Sequence, residues 1–185
     1  MRILKTTLLI SKICLFGNIS TADTISWPEV LDQPKFNVTF LRHALAPGYG
    51  DPVEFNINSC KTQRNLNQEG RDQAISIGKR LKIEEVLFDK IYSSEWCRCI
   101  ETATLLDIGE ITMFSGLNSF FQDHYNKEET LPKLMQKLES LDDKNRILMV
   151  THQVVISSVT GINVGSGGAV AYSTKDGSAI KISMP

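Results

Sequence analysis

The sequence predicts a single α/β domain, a three-layer α/β/α sandwich around a mostly parallel central sheet. Three observations predict it. Strand-like runs alternate with stretches whose apolar residues recur at helical spacing, as strand–helix–strand crossovers require. Residues 146–150 form an apolar run typical of a strand buried on both faces. The chain has 185 residues, 42% hydrophobic and 22% charged. That is enough for one sizeable core and short for two domains.

In order, the β-rich run at residues 36–41 is bounded by Pro34 and by Pro47-Gly48 and reads as the first strand. Residues 69–81 carry apolar residues at Ala74, Ile75, Ile77 and Leu81, which fits an amphipathic helix. Residues 86–92 read as a second strand. Ser93-Ser94 then caps a helix running to about Leu106. A short third strand is expected at 111–114, followed by an excursion over one sheet edge at 115–130. A helix is expected at 131–141, the buried strand at 146–150, and a helix from Val154 that Gly161 ends. Residues 168–174 and 179–184, joined by Lys175-Asp176-Gly177, read as a closing hairpin.

Residues 1–22 read as a secretory signal peptide, leaving residues 23–185 as the domain. Arg2 and Lys5 precede a largely apolar stretch interrupted by Lys12, and Ser20-Thr21-Ala22 offers small residues for cleavage. The expected location is periplasmic or secreted. Removing Arg2, Lys5 and Lys12 leaves 17 of the 20 basic residues against 21 acidic ones and moves the net charge from −1 to −4. Neither balance supplies a basic field for nucleic acid, and no apolar run reaches the length of a membrane span. Cleavage also removes Cys14 and leaves Cys60, Cys97 and Cys99. In an oxidising compartment one disulfide is expected, from Cys60 to either Cys97 or Cys99, since the latter two lie too close on one helix to bridge easily. Without export, three buried thiols are the alternative.

Ligands collect at the carboxyl ends of strands in such sheets. The first strand ends in Arg42-His43, the buried strand in Thr151-His152, and the second in Ser93-Ser94, with Arg98 one turn into the next helix. Two imidazoles and two guanidiniums at one sheet edge suit phosphoryl transfer. A neutral imidazole can attack phosphorus, and guanidiniums match the charge on the phosphoryl oxygens. Backbone donors of a helix beginning at Ser94 would add to this. Nothing in this set calls for a metal or other cofactor. Zinc is the rival use of two histidines, but no His-x-His or His-Glu-x-x-His occurs and the arginines would repel a cation. His124 reads as a surface histidine.

These residues resemble a known family. Leu41-Arg42-His43-Ala44, the run Arg64 to Gly70 with Gln73-Ala74 and Gly78, Ser94 to Arg98 with Glu101-Thr102-Ala103, and Val150-Thr151-His152 are together similar to the motifs of the histidine phosphatase superfamily. The order holds from about residue 36 to 160. The resemblance implies a phosphoglycerate-mutase-like fold. It implies His43 as the phosphorylated nucleophile and Arg42, Arg98 and His152 as the phosphate pocket. The loop Ala46-Pro47-Gly48-Tyr49-Gly50-Asp51-Pro52 is similar to the secreted branch that includes lipopolysaccharide core heptose phosphatases. The substrate class implied is a small phosphorylated molecule such as a sugar phosphate. Ala44 stands where the family has Gly, and residues 116–121, where its acid often lies, contain no carboxylate. Asp51 is the favoured acid, with Tyr49, Pro52 and Val53 expected to shield it and raise its pKa. Asp123 is the alternative. The activity expected is that of an exported, metal-independent phosphomonoesterase with a phosphohistidine intermediate; the rivals are a phosphohistidine-protein phosphatase, which needs no strong acid, and a phosphate-binding protein without catalysis.

Overall fold

The computed structural model describes residues 24–184. The expected signal peptide therefore lies outside the described residues. Seven strands form one sheet: β1 (Thr24–Ile25), β2 (Val38–Arg42), β3 (Lys90–Ser93), β4 (Ile111–Met113), β5 (Ile147–Thr151), β6 (Ala169–Tyr172) and β7 (Ala179–Ile182), in the order β1-β7-β6-β2-β5-β3-β4. β5 pairs in parallel with β2 and β3, and β3 in parallel with β4. β6, turned back by the closing hairpin, is antiparallel to β2 and β7.

Strand alternation sorts the core into two layers. Leu41, Ile91, Leu148 and Val150 face α1 (Trp27–Leu31), α2 (Gln68–Ile83) and α3 (Cys97–Leu106). Phe40, Tyr92, Ile147 and Met149 face α4 (Lys127–Glu139) and α5 (Gln153–Thr160). All five residues of β5 are buried, as a central strand with helices on both faces must be. The three-layer α/β/α sandwich is thus the observed architecture.

Several boundaries differ from the sequence reading. β1 and α1 fall in a segment assigned no element. Ser26 and Glu29 there form a reciprocal capping box. The second strand begins at Lys90 rather than 86, because the Val86 N–H is used on the Leu81 carbonyl to close the end of α2. α3 begins at Cys97 with Trp96 at its N-cap, so Ser94 does not cap it. α4 starts at Lys127, four residues before the expected start. The Asn126 side chain accepts from Glu128 N–H there, and Glu128 and Glu129 suit the positive helix end. Gly161 ends α5 in the left-handed conformation, with φ of 71°.

Candidate active site

Strand register brings the chemistry together. Arg42 lies opposite Thr151, and the His43 N–H donates to the Thr151 carbonyl at 2.9 Å. The residue after each strand is a histidine, and the two rings sit 5.4 Å apart. On the other side of β5, Ser93 pairs with Val150, and Ser94 N–H donates to the Val150 carbonyl. That register places Ser94 beside His152, and α3 then carries Arg98 back over both imidazoles. His43, Arg98 and His152 are 2%, 3% and 4% exposed. They floor a cleft of about 630 Å³ lined also by Arg42, Arg64, Ser119 and Gln153.

The His43 ring is held in one tautomer by its neighbours. Its Nδ1 lies 2.8 Å from the Ala44 carbonyl, which can only accept, so Nδ1 carries the proton. Nε2 keeps its lone pair and accepts from Arg98 Nε–H at 3.2 Å. Burial, then the nearby Arg98 charge, hold its pKa well below 6.5, so the ring is neutral near pH 7. Ala44 N–H is held by Thr102 Oγ1 and Leu45 N–H by Gln73 Oε1. Ala44 is absent from the positive-φ residues, so its Cβ is tolerated in this turn. Gly70 is required nearby, since a Cβ there would strike the Leu45 carbonyl.

His152 is neutral for the same reasons: burial first, then Arg98, push its pKa well below 6.5. Arg98 Nη2 donates weakly to its Nδ1 at 3.4 Å, which leaves the proton on Nε2 for Ser94 Oγ at 3.0 Å. Ser94 in turn donates to Asn118 Oδ1 at 3.0 Å. Ser94 therefore serves the site by orienting His152. Cys97 N–H, in the first turn of α3, is taken by Gln63 Oε1 rather than offered to the cleft. Arg42 turns to Gln153 Oε1 at 2.7 Å and the Val164 carbonyl at 2.9 Å.

The expectation for Asp51 needs correcting. Tyr49 is 86% exposed and Val53 fully exposed, so neither shields the carboxyl. Instead Asp51 makes a two-pronged ion pair with Arg98, at 2.8 and 3.1 Å. Burial pushes its pKa up. The Arg98 hydrogen bonds and charge, Arg64 N–H and the Trp96 indole N–H outweigh that, and the net shift is downward. Asp123 is exposed and lines a separate depression with Tyr125 and Lys127. Neither carboxylate lines the cleft, and no other Asp or Glu does among the described residues. Asn118, near the family acid position, is buried, with its amide spent on Ser94 and Glu95.

Sequence reasoning missed Arg64, which lines the cleft and anchors its Nε on the Gly50 carbonyl at 2.8 Å and its Nη1 on the Ala46 carbonyl. It sits in the quoted motif, and its charge was the available signal. His124 is half-buried and stacks on Phe55 at 4.4 Å, away from the cleft. Cys60 is bridged to Cys97, with Cα atoms 5.6 Å apart. Cys99 is a buried thiol 3.4 Å from His152 Nε2, and burial pushes its pKa up to about 12. It is therefore protonated and no nucleophile.

The fold is that of the phosphoglycerate-mutase-like histidine phosphatases. Residues 38–117 match the family model of the histidine phosphatase superfamily, branch 1. No curated protein matches the sequence. Similar solved structures include the protein histidine phosphatase SixA complexed with tungstate, at 15% identity and TM-score 0.53, over 78% of this chain and 92% of that one. A phosphoserine phosphatase from Entamoeba histolytica in complex with 3-phosphoglyceric acid is 17% identical, with TM-score 0.54 over 78% and 93% of the two chains. TTHB049 from Thermus thermophilus is 16% identical, with TM-score 0.56 over 80% and 99%.

Proposed function

We propose that this protein is a metal-independent phosphatase that works through a phosphohistidine intermediate on His43. The observation that carries the reading is the His43 ring: neutral, protonated at Nδ1, with the Nε2 lone pair held in a cleft lined by three arginines. Nε2 attacks phosphorus as the bond to the leaving group breaks. The phosphorylated ring gains positive charge, and the Ala44 carbonyl on Nδ1–H stabilises it. Arg42, Arg64 and Arg98 balance the phosphoryl charge. His152 takes up a proton once a dianion offsets the surrounding guanidiniums, and donates to a phosphoryl oxygen. Water then attacks the phosphohistidine, releases inorganic phosphate and restores the imidazole.

The missing carboxylate favours a leaving group that departs without a strong acid. Phosphohistidine on another protein meets this condition, because its leaving imidazole takes a proton from solvent near pH 7. A sugar phosphate needs an acid that the cleft lining does not supply. Export to the periplasm or beyond remains part of the proposal, and the Cys60–Cys97 bridge supports it.

The test is turnover of nitrophenyl phosphate, a series of sugar phosphates and a phosphohistidine peptide by purified protein, with a quench that avoids acid. Wild type is expected to yield a phosphoramidate on His43 and to prefer the phosphohistidine peptide. His43→Ala is expected to abolish both label and turnover. Full activity in that variant would end the mechanism.

A further inference from the structure

We propose that Asp51 is a positioning residue that aims Arg98 at the phosphoryl group, and not the acid that protonates the leaving group. The proposal rests on the phosphatase reading above. Arg98 divides its guanidinium between two sides, and on the Asp51 side Nη1 also donates to the Arg64 carbonyl at 3.2 Å. Nη1 and Nη2 grip the two oxygens of Asp51. The remaining edge, Nε and Nη2, points to His43 Nε2 at 3.2 Å and His152 Nδ1 at 3.4 Å. A phosphoryl group arriving at His43 meets that edge. An arginine stem is flexible, and the two-pronged, charge-assisted grip of a fixed carboxylate behind the fork, stronger than the single neutral Arg64 carbonyl, sets its direction.

Asp51 is itself fixed. Oδ1 accepts from Arg98 Nη1 at 2.8 Å and Arg64 N–H at 3.0 Å, and Oδ2 from Arg98 Nη2 and Trp96 Nε1–H, each at 3.1 Å. A carboxylate has about four acceptor sites, and here all are used. A group so occupied has no free oxygen to hold a transferable proton. It also does not line the cleft where a leaving group departs. The loop that delivers it is tied to the turn before Arg98. Phe55 stacks on Trp96 at 4.9 Å, and the Cys60–Cys97 bridge closes the far end. Between them the buried Gln63 bonds the Asn56 and Ile57 carbonyls and Cys97 N–H.

The experiment compares Asp51→Asn with wild type on nitrophenyl phosphate and on an alkyl phosphate, beside calorimetric binding of tungstate, a tetrahedral oxyanion. Misaiming a reacting-site group by about 1 Å costs on the order of 10²-fold. The expected result is an equal loss of that order in kcat/KM on both esters, with tungstate bound about tenfold more weakly, as losing one well-placed charged donor implies. A loss confined to the alkyl ester would make Asp51 the acid and overturn the proposal. Unchanged rates and unchanged tungstate affinity would overturn it too. If Asp51→Asn does not fold, the same comparison on Asp51→Glu decides. That variant keeps the charge and shifts it, and equal partial losses on both esters are expected; wild-type rates, or a loss on the alkyl ester alone, refute the role. Wild type that binds tungstate but turns over neither ester nor the phosphohistidine peptide removes the phosphatase reading, and weaker tungstate binding by Asp51→Asn then still supports the positioning role.

Discussion

Removing the Cys60–Cys97 bridge has a size that the structure fixes. The two cysteines are 37 residues apart in sequence. In the chain-entropy relation a closed loop of that length removes about 13 cal/mol/K from the unfolded chain, or about 4 kcal/mol at 25 °C. A domain of this size loses about 2–4 °C per kcal/mol, so Cys60→Ser/Cys97→Ser is expected to melt about 8–16 °C lower. Urea denaturation checks it on the free-energy scale, with a larger m-value expected as well, because the unbridged chain unfolds to a more expanded state. A dithiol reductant should bring wild type to the level of the variant and leave the variant unmoved. Cys99 is buried and protonated, so it should stay unreactive to thiol reagents until the protein unfolds. Since the bridge ties the far end of the segment bearing Asp51 to the first turn of α3, kcat/KM should fall in the variant even where it is fully folded. A loss of stability under about 1 kcal/mol would refute the loop-entropy reasoning.

Further outcomes follow from the site. Arg98→Ala should cost about 2.7–4 kcal/mol of transition-state stabilisation, seen in kcat/KM. It should also cost about 3–5 kcal/mol of folding stability by denaturation, because Asp51 is left buried without its partner. His43 and His152 are held neutral in the fold, whereas an unfolded chain protonates near pH 6.5. Below that pH the unfolded chain binds more protons, so stability falls as pH drops, by about 1.4 kcal/mol per unit for each ring, with no slope from them above it. Asp51 adds to the loss at lower pH, as its depressed pKa is crossed. A denaturation series from pH 8 to pH 5 that shows no decline would refute the neutral-imidazole assignment. The acid limb of kcat/KM should lie below pH 6.5 for the same reason. Chelation with EDTA should leave turnover unchanged; a loss reversed by zinc or magnesium would argue for a metal-dependent reaction.

The fold was legible where the chain signals locally. β5 announces itself as a run of apolar residues, and Gly161 and Lys175-Asp176-Gly177 mark a helix end and a hairpin turn through backbone conformations that other residues adopt less readily. Ser26 and Glu29 were an equally local signal for α1, present in the sequence and unread. The start of β3 was not local in the same way. Val86 has strand propensity, but its N–H goes to Leu81, and that choice depends on how α2 ends against the sheet. Likewise Ser94 has the chemistry of a helix cap, and its hydroxyl is drawn instead to His152 and Asn118, which lie 58 and 24 residues away.

The candidate site divides along the same line. Arg42, His43, Arg98 and His152 could be found from sequence because each sits at or just beyond the end of a strand, and a parallel sheet places such ends along one edge. Which Cys97 or Cys99 thiol meets Cys60 could not, because successive positions on a helix point in different directions and only the packed orientation of α3 selects between them. Asp51 is the sharpest case. Its sequence neighbours suggested a shielded acid, but Tyr49 and Val53 point to solvent, and its real neighbours are Arg98, Trp96 and Arg64. By itself the sequence determined the class of fold, the edge where chemistry gathers and the residue types there, because these follow from periodicity and composition along the chain. The tertiary structure alone decided protonation and pairing, because a carboxylate's charge state depends on burial and on donors that only folding brings within about 3 Å.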